Sequence, residues 1–208
     1  MLVKVCGITR LDDAEAAVAM GAGAIGFVFW PGSPRFIDPF RAATIAAALP
    51  PFVTPVGVFV NQPASYINAV AARVRLGAVQ LHGDEALDDL RPIARPIIKA
   101  VALGAPQAPA TAWPSQVTLL LDAHDPVQRG GTGRTIDWDE AAAAARARRV
   151  LLAGGLTPAN VAEAVEKVRP FGVDVSSGVE RSPGVKDHGR LRAFFEALHA
   201  STHHPARS

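Results

Sequence analysis

The chain of 208 residues has one cysteine, one tyrosine and only 6% aromatic residues. A single cysteine cannot form an internal disulfide, and a lone reduced thiol fits a cytoplasmic protein. The first residues include Lys4 and lead into no apolar h-region, so no secretory signal is expected. Long apolar runs are also missing. The most membrane-like stretch, residues 42–60, is cut by Pro50, Pro51 and Pro55 and reads as a helix followed by a strand. The 21 basic and 19 acidic residues leave a net charge of only +2, although the isoelectric point is ≈ 9.0. No basic stripe alternates with aromatics, so neither a nucleic-acid surface nor membrane association is expected; a local site for a small anion stays open. The six histidines show no metal-ligand spacing, and no metal site is expected. The run Gly130-Gly131-Thr132-Gly133 lacks the lysine of a phosphate-binding P-loop and reads instead as a mobile cover.

What is present is repetition. Hydrophobic residues make up 49% of the chain and mean hydropathy is +0.19, the profile of a compact globular protein. Apolar runs recur at residues 2–6, 24–29, 53–60, 78–81, 97–103, 117–121, 150–153 and 173–176. They are nearly continuous instead of alternating, as strands buried on both faces should be. Helical segments lie between them. Asp12-Asp13 starts one over 14–20, Asp38-Pro39 caps another through 49, and 63–76 ends at Gly77. A short one covers 84–91, Asp137 caps 138–148, Thr157-Pro158 opens 159–168, and 188–199 completes the set. Residues 105–115 hold three prolines and little helix is expected there. Eight strand–helix alternations imply a parallel α/β sheet, either a closed (β/α)8 barrel or a doubly wound open sheet. No linker interrupts residues 1–200, so a single domain is expected, followed by a polar, disordered tail over 201–208.

In a barrel, reactive groups sit at the carboxyl ends of strands and in the loops after them. That rule selects Cys6, Arg35, Gln80, His82, Asp122, Asp174, Ser176 and Ser177. The loops Ala153-Gly154-Gly155-Leu156-Thr157-Pro158 and Ser176-Ser177-Gly178-Val179-Glu180 follow the last two strands, the usual phosphate site of this architecture. Gly154, Gly155 and Gly178 let backbone N–H groups approach an anion, and Ser176 and Ser177 add hydroxyls. Arg181 and Lys186 are expected in solvent. Cys6 reads either as a small buried hydrophobe or as a thiolate near Lys4, which shares its strand face. Asp122, closing a leucine run, must be paired or working. Asp174 calls for a partner such as Lys4, and His82 contacts substrate or merely supports the fold.

Taken together, Lys4-Val5-Cys6-Gly7-Ile8-Thr9, Gly26-Phe27-Val28-Phe29, Ser33-Pro34-Arg35, Val79-Gln80-Leu81-His82-Gly83 and Leu121-Asp122 resemble the phosphoribosylanthranilate isomerases of tryptophan biosynthesis. So do Gly130-Gly131-Thr132-Gly133 with Asp137-Trp138, Ala153-Gly154-Gly155-Leu156, the run from Phe171 to Glu180, and Pro183-Gly184-Val185-Lys186-Asp187. The match extends over residues 2–199. The resemblance implies a (β/α)8 barrel and an Amadori rearrangement that uses no cofactor. Cys6 would be the general base, Asp122 the general acid, and Arg35 the contact for the anthranilate carboxylate. Gln80, His82 and Asp174 would line the substrate, and the glycine loops would hold its phosphate. The protein would be a monomer or a homodimer. Ile136, where phenylalanine is usual, and residues 123–129 depart from the family pattern. The chemistry asks for opposite tuning, with the Asp122 carboxyl raised and the Cys6 thiol lowered from their ordinary values. Two alternatives are a histidine-pathway aminoaldose isomerase, which carries aspartate where this chain has Cys6, and an inactive phosphosugar-binding barrel.

Overall fold

The structure, a computed structural model, describes residues 1–103, 113–123 and 137–202. Its strands are β1 (Leu2–Cys6), β2 (Ala24–Val28), β3 (Thr54–Phe59), β4 (Ala78–Leu81), β5 (Ile97–Leu103), β6 (Thr118–Ala123), β7 (Val150–Leu152) and β8 (Gly172–Val175). Every strand pairs in parallel with the next, and β8 pairs with β1, so the sheet closes. This is a (β/α)8 barrel, and the open sheet is excluded. Helices α1 (Leu11–Ala19), α2 (Pro39–Ala47), α3 (Ala64–Val74), α4 (Leu87–Leu90), α5 (Trp138–Ala147) and α6 (Val161–Val168) lie between strands. After β8 come a single 3-10 turn (Ser177–Val179), a hairpin of β9 (Glu180–Ser182) and β10 (Val185–Lys186), and α7 (His188–Thr202).

Strand periodicity divides the core in two. Val3, Val5, Ile25, Phe27, Leu119, Leu121, Val173 and Val175 face outward and pack with the helices in the main apolar cluster. The alternate residues fill the barrel in small separate groups: Ala24, Val56 and Ala78 in one, Ala100, Leu120, Leu151 and Ala153 in another. Lys4 and Asp174, opposite each other in the β1–β8 register, also point inward. Their Nζ–Oδ1 distance is 2.8 Å, and both are buried. Gly26 stands beside them on β2. A Cβ there would lie 2.9 Å from the Cys6 sulfur and 3.2 Å from Lys4 Cε, so the missing side chain is what makes room for both groups.

Helix punctuation follows the sequence in part. Asp38 caps α2 by accepting from the Phe40 amide at 2.8 Å, and Asp137 caps α5 from the Asp139 amide at 2.8 Å. Helix α1 begins earlier than expected, at Leu11, so Asp12 and Asp13 lie in its first turn and Asp13 is buried. Helix α3 stops at a left-handed Arg75 (φ 57°), two residues before Gly77. Strand β6 runs two residues further than expected, which places Asp122 inside the sheet and not after it. Helix α7 continues to Thr202, into the first residues of the expected tail. Residues 203–208, most of 105–115 and the run Gly130-Gly131-Thr132-Gly133 lie outside the described residues.

Candidate active site

The carboxyl ends of the strands surround a solvent-open pocket. Cys6, Arg35, Gln80, His82, Asp122, Asp174, Gly154, Gly155, Ser176 and Ser177 all line it. Among the sequence candidates only Gly178 is missing from that lining, because the single turn Ser177–Val179 seats it against the Leu156 carbonyl. Trp30, Val28, Val58, Val60 and Leu156 supply an apolar wall that strand-end reasoning does not single out.

One side of the cavity suits an anion. Gly154 and Gly155 have φ of 78° and 66°, a conformation side chains resist, and the loop between β7 and α6 turns through them. Asn160 locks this loop by accepting from the Thr157 amide at 2.8 Å and donating to the Gly155 carbonyl at 3.0 Å. The Ser176 hydroxyl is buried without a hydrogen-bond partner among the described residues, so it has a bond to give to a bound oxyanion.

The reactive side holds Cys6 within a set of charges. Burial pushes its thiol up from the ordinary value, Lys4 pulls it down, Asp174 pushes it up again and Lys186 pulls it down; burial prevails. The lowered thiol expected for a general base is therefore not what the free protein holds. The reason is that the strand end is shielded by Trp30, Val28 and Val58, and desolvation outweighs the two ammonium groups. Lys4 serves both purposes considered for it. Burial alone would lower its pKa, but Asp174 and the Cys6 sulfur more than compensate and hold it above the ordinary lysine value. Alkylation of Cys6 by iodoacetamide is expected to reach half its plateau rate above the ordinary free-thiol pKa of about 8.5. A midpoint at or below that value would contradict the dominance of burial.

The largest departure concerns the hairpin. Lys186, expected in solvent, is buried, and its Nζ donates to the Cys6 carbonyl at 2.6 Å, the Ser176 carbonyl at 3.2 Å and Glu180 Oε1 at 2.9 Å. Burial lowers its pKa even against the attraction of Glu180. Glu180, also buried, takes Arg35 in a bidentate grip, Nη2 to Oε2 at 2.7 Å and Nε to Oε1 at 3.0 Å. Burial would raise the Glu180 carboxyl, but Arg35 and Lys186 bring it below the usual range. Arg181 is exposed, as expected. The sequence signal for this arrangement is the Ser-Pro-Gly turn between Glu180 and Lys186, which folds the two side chains back over β1.

On the opposite wall Gln80 Nε2 lies 2.8 Å from His82 Nδ1, and His82 Nε2 lies 3.1 Å from Asp122 Oδ2. Cys6 and Asp122 thus enter one cavity from β1 and β6. Among the described residues no group of three or more His, Cys, Asp or Glu side chains is placed to hold a metal, and no helix is long and apolar enough to cross a membrane.

A thiol and a carboxyl at the mouth of a (β/α)8 barrel, with an anion cradle between its last two strand ends, define a barrel enzyme of the acid–base type. The match to known proteins is specific. The family model described as N-(5'phosphoribosyl)anthranilate (PRA) isomerase matches residues 3–197, and the chain belongs to that family. It is an isomerase. The Geobacter metallireducens N-(5'-phosphoribosyl)anthranilate isomerase is 50% identical over 202 residues, covering 95% of this chain and 98% of the relative. The crystal structure of the Thermotoga maritima phosphoribosyl anthranilate isomerase is 43% identical, with a TM-score of 0.89 over 96% of this chain and 99% of that one. A further structure, 41% identical with a TM-score of 0.83 over the same shares, holds reduced 1-(o-carboxyphenylamino)-1-deoxyribulose 5-phosphate.

Proposed function

We propose that this chain catalyses the Amadori rearrangement of N-(5-phosphoribosyl)anthranilate to 1-(2-carboxyphenylamino)-1-deoxyribulose 5-phosphate in tryptophan biosynthesis, with Cys6 as base and Asp122 as acid. The observation that carries this assignment is that both residues line one cavity together with the glycine loops of the last two strands. Asp122 donates a proton to the furanose ring oxygen. The ring C–O bond breaks as the anilinic nitrogen lone pair forms a protonated Schiff base at C1′. Cys6, as thiolate, takes the C2′ proton, and the released electron pair gives an enolamine that tautomerises to the ketone. The cationic Schiff base beside the sulfur favours the thiolate that burial disfavours in the free protein. The Gly154–Gly155 loop and the Ser176 and Ser177 hydroxyls hold the phosphate, whose role is positioning.

Arg35, presented by Glu180 at the cavity wall, binds the anthranilate carboxylate. Arg35→Ala is expected to raise KM, with a smaller fall in kcat; unchanged kinetics would dismiss the contact. The activity itself is tested by adding purified protein to phosphoribosylanthranilate and following the loss of its fluorescence. The histidine-pathway aminoaldose, offered in the same assay format, is expected not to react. The same reading places the protein in the cytoplasm as a monomer or homodimer, and light scattering distinguishes these two.

A further inference from the structure

We infer that His82 is a positioning residue for the acid: Gln80 sets its tautomer, and its Nε2–H orients Asp122 so that the proton to be donated sits on Oδ1. This rests on the reading of Asp122 as general acid and adds a group whose expected role is to touch the substrate.

The geometry begins with strand periodicity. Gln80 points into the barrel from β4, and His82, two residues on, emerges on the same side just beyond the strand. The His82 backbone is anchored by its amide, which donates to the Phe59 carbonyl at 2.8 Å. Asp122 stands two strands away on β6. Between them β5 presents alanines inward, Ala102 in register with Asp122 and Ala100 in register with Leu120. These short side chains leave the imidazole a clear path across β5.

The direction of the bonds follows from donor and acceptor chemistry. An amide nitrogen only donates, so Gln80 Nε2 makes His82 Nδ1 an acceptor. The ring proton is then on Nε2, which donates to Asp122 Oδ2 across 3.1 Å. An oxygen that receives an N–H bond is a poor seat for an acid proton, which therefore occupies Oδ1. When that proton is given to the ring oxygen, the carboxylate formed keeps its bond to Nε2–H. The hydrogen bond strengthens at the step in which negative charge appears, the condition under which it lowers a barrier. Had the Gln80 amide been turned over, its oxygen would accept from Nδ1–H, and a bare Nε2 would draw the Asp122 proton onto Oδ2, between two protein groups and away from substrate. This orientation leaves the buried Gln80 Oε1 without a hydrogen-bond partner among the described residues, an acceptor at the cavity wall for a hydroxyl or N–H of the ligand.

The test has two arms. Nitrogen-15 imidazole NMR of the free protein reads the tautomer, with the His82 signals identified by their loss in His82→Gln. The Nε2–H neutral form is expected, and Gln80→Leu should give a mixture of tautomers. An Nδ1–H tautomer or an imidazolium at neutral pH would overturn the inference. In turnover, His82→Ala should lower kcat by about ten- to a hundredfold, the loss of one hydrogen bond to a charged group, with KM little changed. His82→Gln, which keeps an N–H donor near the position of Nε2, should recover part of kcat. An unchanged kcat in His82→Ala, or a loss confined to KM, would return His82 to a substrate contact. A wild-type protein with the expected tautomer but no turnover of phosphoribosylanthranilate would instead defeat the functional reading.

Discussion

Cys6→Ser is expected to fold like its parent and to turn over phosphoribosylanthranilate at least about 10²-fold more slowly, and Asp122→Asn to do the same, the scale of losing a general base or acid, the roles proposed for these two residues. The serine hydroxyl fits the space of the thiol, so the cavity and the Lys4–Asp174 pair survive. What it lacks is an accessible anion, since burial that already raises the thiol would hold a hydroxyl neutral throughout the working range. The amide introduced by Asp122→Asn keeps an acceptor for His82 but has no acidic proton to give. Matching thermal melts for parent and variants establish that the loss is chemical. A near-wild-type kcat in either protein would remove that residue from the mechanism.

Lys4→Met is expected to destabilise the fold by about 3–5 kcal/mol, because it strands a buried carboxylate. Asp174 sits opposite Lys4 with its oxygen 2.8 Å from Nζ, and the two side chains are only 1% and 9% exposed, so the little water that reaches Asp174 from the cavity replaces the lost cation poorly. The pair itself contributes little net stability, since desolvation of both ions offsets most of their attraction. The double variant Lys4→Met/Asp174→Asn should therefore recover much of the loss. Urea denaturation of the three proteins measures this, and a single variant within about 1 kcal/mol of wild type would show that the charges are not buried as a unit. Without Lys4 the Cys6 thiol also loses a group that pulls it down, so alkylation in the single variant shifts to higher pH.

The barrel is legible because its strands advertise burial on both faces. Runs such as Leu119-Leu120-Leu121 and Val150-Leu151-Leu152 have no polar side to give to solvent, and eight apolar runs, most of them separated by helical spacers, leave few architectures. The strand-end rule then brings Cys6, Gln80, Asp122 and the glycine loops to one mouth. It fails where position along the chain says nothing about who folds over whom. Lys186 follows a Pro-Gly turn and reads as a surface lysine, until the hairpin lays it under Cys6 and Ser176. Glu180 reads as the end of a glycine loop, yet it is the counter-ion for Arg35 and Lys186. The direction of the Cys6 shift is likewise hidden, because it depends on how much apolar surface covers the sulfur and not on which charges are near it in sequence.

Barrel closure also governs how the chain emerges during synthesis. Lys4 meets Asp174 across 170 residues, and Lys186 reaches the Cys6 carbonyl across 180. At ~5–20 residues per second the first strand waits roughly 10–35 s for its last neighbour, with one edge able to pair with another nascent chain. An unpaired ammonium on that edge discourages such pairing, because joining a stranger would bury it without a counter-ion.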